Sequence, residues 1–317
     1  MSLNQYQIMA LEEMKDSRAI SPELLSAFVD ENGALNAFLR FVQERDDLNI
    51  CFRGNSDAIE IYYLNHPVWK LTPGRKGYYR VLFNFGHARG MLKEHDYFCS
   101  LKRYGFKSAP DEKHIYWEKE CFTREEINTE LWQYFKEIMD WYFDPGKGTP
   151  NIEKRWQQKF FRDFHKEEYL FHGLYVYDLE YQQKLPHKDE LLRILGPKTD
   201  EELKEMRVHS NVMKEDLKPL MNEPDFLGVE FDEKKGEAYL VFGGIKSLYK
   251  SCDGTSGIDS HLDKMKSYLN MDILIKKRKD DAEEILKQYL AIGDIKGQYS
   301  FDGLSKKLKM NTRIIRK

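Results

Sequence analysis

No apolar run in the 317-residue chain approaches the roughly 18–20 residues that cross a bilayer, and the opening MSLNQYQIM holds no apolar core of the signal-peptide kind. A cytoplasmic protein without membrane contact is therefore the expectation. Cysteine is scarce as well. Cys51, Cys99, Cys121 and Cys252 form no CxxC pair, which argues against a disulfide framework and for free thiols in a reducing compartment. His95, Cys99, His114 and Cys121 follow one another within a short region, but their spacing fits no common zinc finger. Neither sign of charge dominates. Fifty Lys and Arg against 53 Asp and Glu leave a net −3, so the chain is not uniformly basic, and only a local basic patch stays open. Internal repeats and low-complexity tracts are absent too.

What is present describes ordinary folded protein: 41% hydrophobic, 32% charged, and long enough for two domains with separate cores. Aromatic residues reach 14%, much of it Tyr and Phe in strand-like runs. The clearest break is DPGKGTP (144–150), where Pro and Gly bracket a polar run. Its GKGT lacks the spaced glycine and the leading apolar strand of a P-loop. The expected domains are thus 1–147 and 148–317.

The first reads as α+β. In SPELLSAFVDENGALNAFLRFVQER, Ser21 is a natural N-cap, Pro22 suits the first helical position, and apolar residues recur every three to four. Strand-like runs follow in LNICFRGN, AIEIYYLN, PVWKL and, after the turn TPGRKG, GYYRVLFNF. TREEINTELWQYFKEIMDWYF closes the domain as an amphipathic helix. Thr123 and Glu126 have capping-box spacing, and Ile127, Leu131, Phe135 and Ile138 form its buried stripe.

Charge is uneven in this half. Residues 66–107 carry nine Lys and Arg against only Glu94 and Asp96, with Tyr78, Tyr79 and Tyr104 among them. Cations interleaved with aromatics suit phosphate contact and base stacking, which makes Arg75, Lys76, Arg80 and Arg89 candidate nucleic-acid contacts. The competing reading is a solvated sheet face whose aromatics lie in the core. The terminal LSKKLKMNTRIIRK adds six basic residues with the same two readings.

In the second half the order of elements is informative. NIEKRWQQKFFRDFHK is a helix, with Ile152, Trp156, Phe160 and Phe164 on one stripe. Strands are expected at LYVYDLEYQ, PDFLGVEFD and EAYLVFGGIKS, the last two joined by the turn EKKG. A helix at SGIDSHLDKMKSYLN follows, and DDAEEILKQYLAIG reads as another. Strict alternation puts Val176, Asp178 and Glu180 on one face of the first strand. It aligns Asp225 with Leu227 and Val229 on the second, and Gly244 with Lys246 on the third. Glu180, Asp225 and Lys246 can then meet at one end of the sheet. Two carboxylates there offer hard oxygen ligands to Mg²⁺ or Mn²⁺, and a lysine beside them balances their charge and orients a water.

Helix, three strands and helix, with acids on the strands, is the core order of the restriction-endonuclease-like fold, and residues 151–270 resemble the PD-(D/E)xK nuclease superfamily. The resemblance rests on EPD with Asp225, on Lys246 as the lysine, on the helix glutamate Glu153 and on the DLEY strand. It implies an α/β domain with a mixed central sheet flanked by helices. It also implies phosphodiester hydrolysis through metal-activated water, with Glu180 and Asp225 as ligands and Glu153 assisting. Many nucleases of this type cut as dimers, so a homodimer stays open.

Two features depart from the family. Gly244 stands where its pattern has an acid, and about 186–222, between the first and second strands, reads as a helical insertion. Three accounts of Gly244 are open. The acid has moved to Glu180 or Glu153; the site is silent and the fold binds nucleic acid or a protein partner; or the motif is an accident of an unrelated domain. Each residue also has a plainer role. Asp225 after Pro224 suits a turn, Glu180 a solvent-facing strand position, Lys246 a strand end, and Glu153 a helix N-terminus. His261 reads as a surface histidine, and Ser251, Thr255 and Ser256 as caps before their helix.

Overall fold

The computed structural model describes residues 17–63, 66–84, 97–109, 114–142, 152–165, 173–179, 199, 201, 224–232, 234, 237–244, 272–293 and 308–310. The chain divides into two compact units, one drawn from Ser17–Glu167 and Ile285–Gln298, the other from Glu168–Glu284 with Met1–Asp16 and Tyr299–Lys317. This division falls some twenty residues beyond the break expected at 147/148.

The first unit is built on six antiparallel strands: β1 (Leu48–Arg53), β2 (Ala58–Tyr63), β3 (His66–Pro73), β4 (Tyr79–Asn84), β5 (Lys107–Ser108) and β6 (His114–Lys119), in the order β1-β2-β3-β4-β6-β5. The first four match the expected runs; β5 and β6 were not among them. One face is apolar. Ile59, Leu71, Val81 and Trp117 pair successively across the strands and are all buried. Helices α1 (Pro22–Val29), α2 (Asn36–Gln43), α3 (Tyr97–Arg103) and α4 (Thr129–Tyr142) complete the α+β arrangement. Trp69 sits at the centre of this core, edge-on to Phe38 of α2 and to Trp132 and Phe135 of α4 at 5.3–5.6 Å between ring centres.

The caps explain the helix ends. Ser21 Oγ accepts from the Leu24 amide at 3.2 Å, with Pro22 just inside the helix, as expected. The chain then leaves the helix at Asp30 and turns through Gly33, so α1 and α2 are separate. A Cβ on Gly33 would overlap the Ala27 carbonyl. At α4 the start lies later than the capping-box spacing indicates. The Thr123 amide does donate to Glu126 at 3.0 Å, but within a turn, and the helix begins at Thr129 with Asn128 Oδ1 accepting from the Leu131 amide at 2.8 Å. The predicted stripe of Ile127, Leu131, Phe135 and Ile138 is fully buried.

Helix α5 (Ile152–Phe164) also belongs to this unit. Phe161 stacks on His165 at 4.3 Å, and His165 meets Tyr289 at 4.6 Å. Tyr289 lies in the last turns of α6 (Asp272–Ala291), and its hydroxyl donates to the Ile50 carbonyl at 3.2 Å. Gln288 makes two hydrogen bonds to the Ile20 backbone, at 3.0 and 2.8 Å. These contacts are why α5 groups with the first sheet: its buried aromatic edge needs a partner, and the far end of the chain supplies one.

The second unit holds β7 (Leu174–Leu179), β8 (Phe226–Asp232), β9 (Glu237–Gly243) and β10 (Leu308–Met310), in the order β10-β9-β8-β7. β7, β8 and β9 run antiparallel, and β10 lies parallel to β9, so the sheet is mixed. All of β7 and most of β8 and β9 are buried on both faces, which accounts for their near-continuous hydrophobic runs. The expected insertion at 186–222 and the helix at 256–270 lie outside the described residues, apart from Thr199 and Glu201.

Candidate functional site

The β8–β9 hairpin ends with Phe226 opposite Gly243. This pair faces one side of the sheet, and a Cβ on Gly243 would overlap the Phe226 ring, so glycine is required there. The next residues outward, Asp225 and Gly244, take the opposite side. A Cβ built on Gly244 would lie 3.7 Å from Asp225 Oδ2, an ordinary van der Waals distance, and would meet no other described atom within 4 Å. Adjacent glycines thus differ. Gly243 is imposed by packing, whereas among the described residues a Cβ on Gly244 would meet only the half-buried Asp225 carboxylate.

A second acid shares this face. Asp178 pairs with Leu227, two residues from Asp225, so the two aspartates are diagonal neighbours at a reach of roughly 7 Å. Asp178 is 1% exposed, and its Oδ1 accepts from the Leu179 amide at 2.8 Å. Strict alternation had placed Val176 and Asp178 together. Instead the register shifts between them: Val176 pairs with Gly228 and Asp178 with Leu227, so they lie on opposite faces. The extra residue of the bulge, Tyr177, reverses the alternation and turns Asp178 toward the Asp225 side. The sequence signal for Asp178 was its place in DLEY, but the bulge that orients it leaves no residue-level mark.

Glu180 follows Leu179, which pairs with Phe226, and itself lies outside the described residues. Lys246, His261, Ser251, Thr255 and Ser256 lie outside them too, as does the side chain of Glu153, whose helix α5 belongs to the first unit. Among the described residues, no group of three or more His, Cys, Asp or Glu is placed to hold a metal ion. Of the zinc-like string, Cys99 and Cys121 are exposed and in no disulfide, His114 is half-buried, and His95 lies outside the described residues.

The first sheet carries the other candidate surface. Opposite its apolar face, Cys51, Glu60, Lys70, Leu82, Tyr116 and Lys107 form one row paired across all six strands, with Thr72, Arg80 and Glu118 in the next. Arg80 Nη2 donates to Glu118 at 2.8 Å and its guanidinium lies 5.0 Å from the Tyr116 ring centre. Arg75, in the β3–β4 turn, lies 4.1 Å from the Tyr78 ring centre and 3.9 Å from Glu118. The hydrogen bond from Arg80 is the main reason the Glu118 carboxyl is held below the usual range. Lys76 is exposed at the turn, and Arg89 lies outside the described residues.

At the β1–β2 end the face closes into a buried network. Arg53 Nε donates to Glu60 at 2.9 Å and its Nη2 to the Tyr62 hydroxyl at 2.8 Å; that hydroxyl donates to Glu60 at 3.1 Å, and Lys70 stands 3.7 Å away. Burial alone would raise the Glu60 pKa, but the charges of Arg53 and Lys70, with hydrogen bonds from Tyr62 and Arg53, bring it below the ordinary value. Burial pushes Tyr62 well up. No described helix is long and apolar enough to cross a membrane. Comparison of the chain with family models, with curated proteins and with solved structures gave no match in any of the three.

Proposed function

We propose that the chain is a metal-dependent nuclease of restriction-endonuclease-like architecture, with its site at the Asp225–Gly244 end of the second sheet. The observation that carries this is the Asp225 carboxylate beside the Gly244 position, with buried Asp178 on the same face. Asp178 is buried and Asp225 half-buried, and two carboxylates on one face offer the hard oxygen donors that a divalent cation takes. The mixed sheet, three antiparallel strands plus one parallel to the third, also supports the architecture.

Asp225 and Glu180 would hold Mg²⁺ or Mn²⁺, with hard oxygen donors of the kind such ions take. A bound divalent ion lowers the pKa of a coordinated water and offsets charge on a scissile phosphate. Lys246, two residues past Gly244 in the sequence, would balance the carboxylates and orient a water. Glu153 enters through its motif alone. Among the described residues a Cβ on Gly244 meets only Asp225, which is compatible with an acid supplied from another strand.

The test is incubation with plasmid and single-stranded oligonucleotides in Mn²⁺. Cleavage is expected, lost in EDTA and in Asp225→Asn and Lys246→Ala variants that still fold. Cutting that persists in both variants rules out this site. The second reading, a nuclease fold that only binds, is favoured by the missing acid at 244 itself. It is selected if no condition gives cleavage while binding survives EDTA.

A further inference from the structure

We propose that the outer face of β3, β4, β6 and β5 in the first unit is a docking surface for single-stranded nucleic acid. This deepens the nucleic-acid reading above but concerns a different sheet, and it holds whether or not the second sheet cleaves. Three observations carry it.

The charge on this face is one-sided. Lys70, Arg75, Lys76, Arg80 and Lys107 stand on these strands and the β3–β4 turn, against Glu118 within the paired rows of β3–β6 and Glu60 beside them on β2, which pairs with Lys70. Arg75 and Arg80 share the Glu118 carboxylate, while Lys76 and Lys107 are exposed and form no ion pair among the described residues. An excess of this kind, in a chain of net charge −3, is concentrated rather than general. The partner it complements is a polyanion.

The face also provides stacking planes. Both arginines already lie over tyrosine rings, Arg75 on Tyr78 and Arg80 on Tyr116. An aromatic ring or guanidinium plane accepts an unpaired base, and phosphate-binding cations spaced around it track a single strand. A paired duplex offers no free base faces, and an acidic peptide has none at all. The shape agrees. Four paired strands about 4.8 Å apart are wide enough for a few splayed nucleotides and too broad to enter a groove.

The experiment is fluorescence anisotropy of a labelled oligothymidylate of roughly 12 nucleotides, with EDTA present so that cleavage plays no part. The full-length chain is compared with Lys76→Glu/Lys107→Glu and with Tyr116→Ala, each checked by circular dichroism. The lysines are exposed, so their reversal leaves the fold intact. Tenfold or greater weakening is expected in the lysine variant and about tenfold in Tyr116→Ala. Binding is read in EDTA and cleavage in Mn²⁺, so failure of the cleavage site and failure of this surface are read separately. Equal affinity for a duplex of the same length, equal affinity in the lysine variant, or no binding at low salt each overturns the proposal.

Discussion

Two adjacent glycines make opposite demands, and the difference is testable at single residues. Gly243→Ala would drive a methyl into the Phe226 ring across the hairpin. Overpacking of this kind costs about 1–3 kcal/mol, so a clear fall in the denaturation midpoint is expected. Gly244→Ala places its methyl at ordinary contact distance from Asp225 and should stay within about 0.5 kcal/mol of the natural chain. Gly244→Glu then adds a carboxylate beside Asp225, and Mn²⁺-dependent cleavage in the assay above should rise. If Gly244→Ala is as damaging as Gly243→Ala, the two glycines do not differ. A third residue-scale prediction concerns Glu60. Its folded pKa lies below its unfolded one, so its stabilising contribution is present above the unfolded value of about 4.3 and is lost as pH falls through the lower folded value. Glu60→Gln leaves Arg53 and Lys70 uncompensated and should cost about 3 kcal/mol at neutral pH. The gap between the two proteins should narrow below about pH 4, as measured by urea denaturation across pH.

At the scale of elements, Asn128→Ala removes the cap on α4 and should lower stability by about 1 kcal/mol, whereas Thr123→Ala, outside the helix, should cost less. That ordering reverses what the sequence spacing alone implies, and it shows where sequence reading works. Alternation and turn residues located β1 to β4 and the β8–β9 hairpin, because each strand had one strongly apolar face or a clear turn. The stripe on α4 was legible for the same reason. β5 and β6 escaped because short, mixed-polarity segments such as HIYWEK carry little periodicity. β10 escaped because its three residues sit in a basic run and gain strand geometry only by pairing with β9. At the candidate site, the nearness of Asp225 to Gly244 could be read from EPD and the Gly-Gly-Ile-Lys run as neighbouring strand ends. The place of Asp178 could not, since a bulge of one residue flips a strand's face without changing its composition.

The described residues form two sheets in two compact units, and the two proposed ligands fall on different ones: a divalent ion on β7–β9 and nucleic acid on β3–β6. A ligand that binds only the folded state raises stability by RT ln(1 + [L]/Kd), about 2.7 kcal/mol at a hundredfold excess over Kd. Mn²⁺ should therefore raise the melting temperature of the second unit in a calorimetric scan, with EDTA reversing the shift and Asp225→Asn abolishing it. This readout needs no catalysis, so it also separates a silent site that has lost its metal from one that retains it. Oligothymidylate in EDTA should act instead on the first unit, and that shift should survive Asp225→Asn and fall as salt rises. If Mn²⁺ shifts the natural chain and Asp225→Asn equally, the ion is not held at Asp225. Cleavage would then have to be sought away from the β8–β9 end.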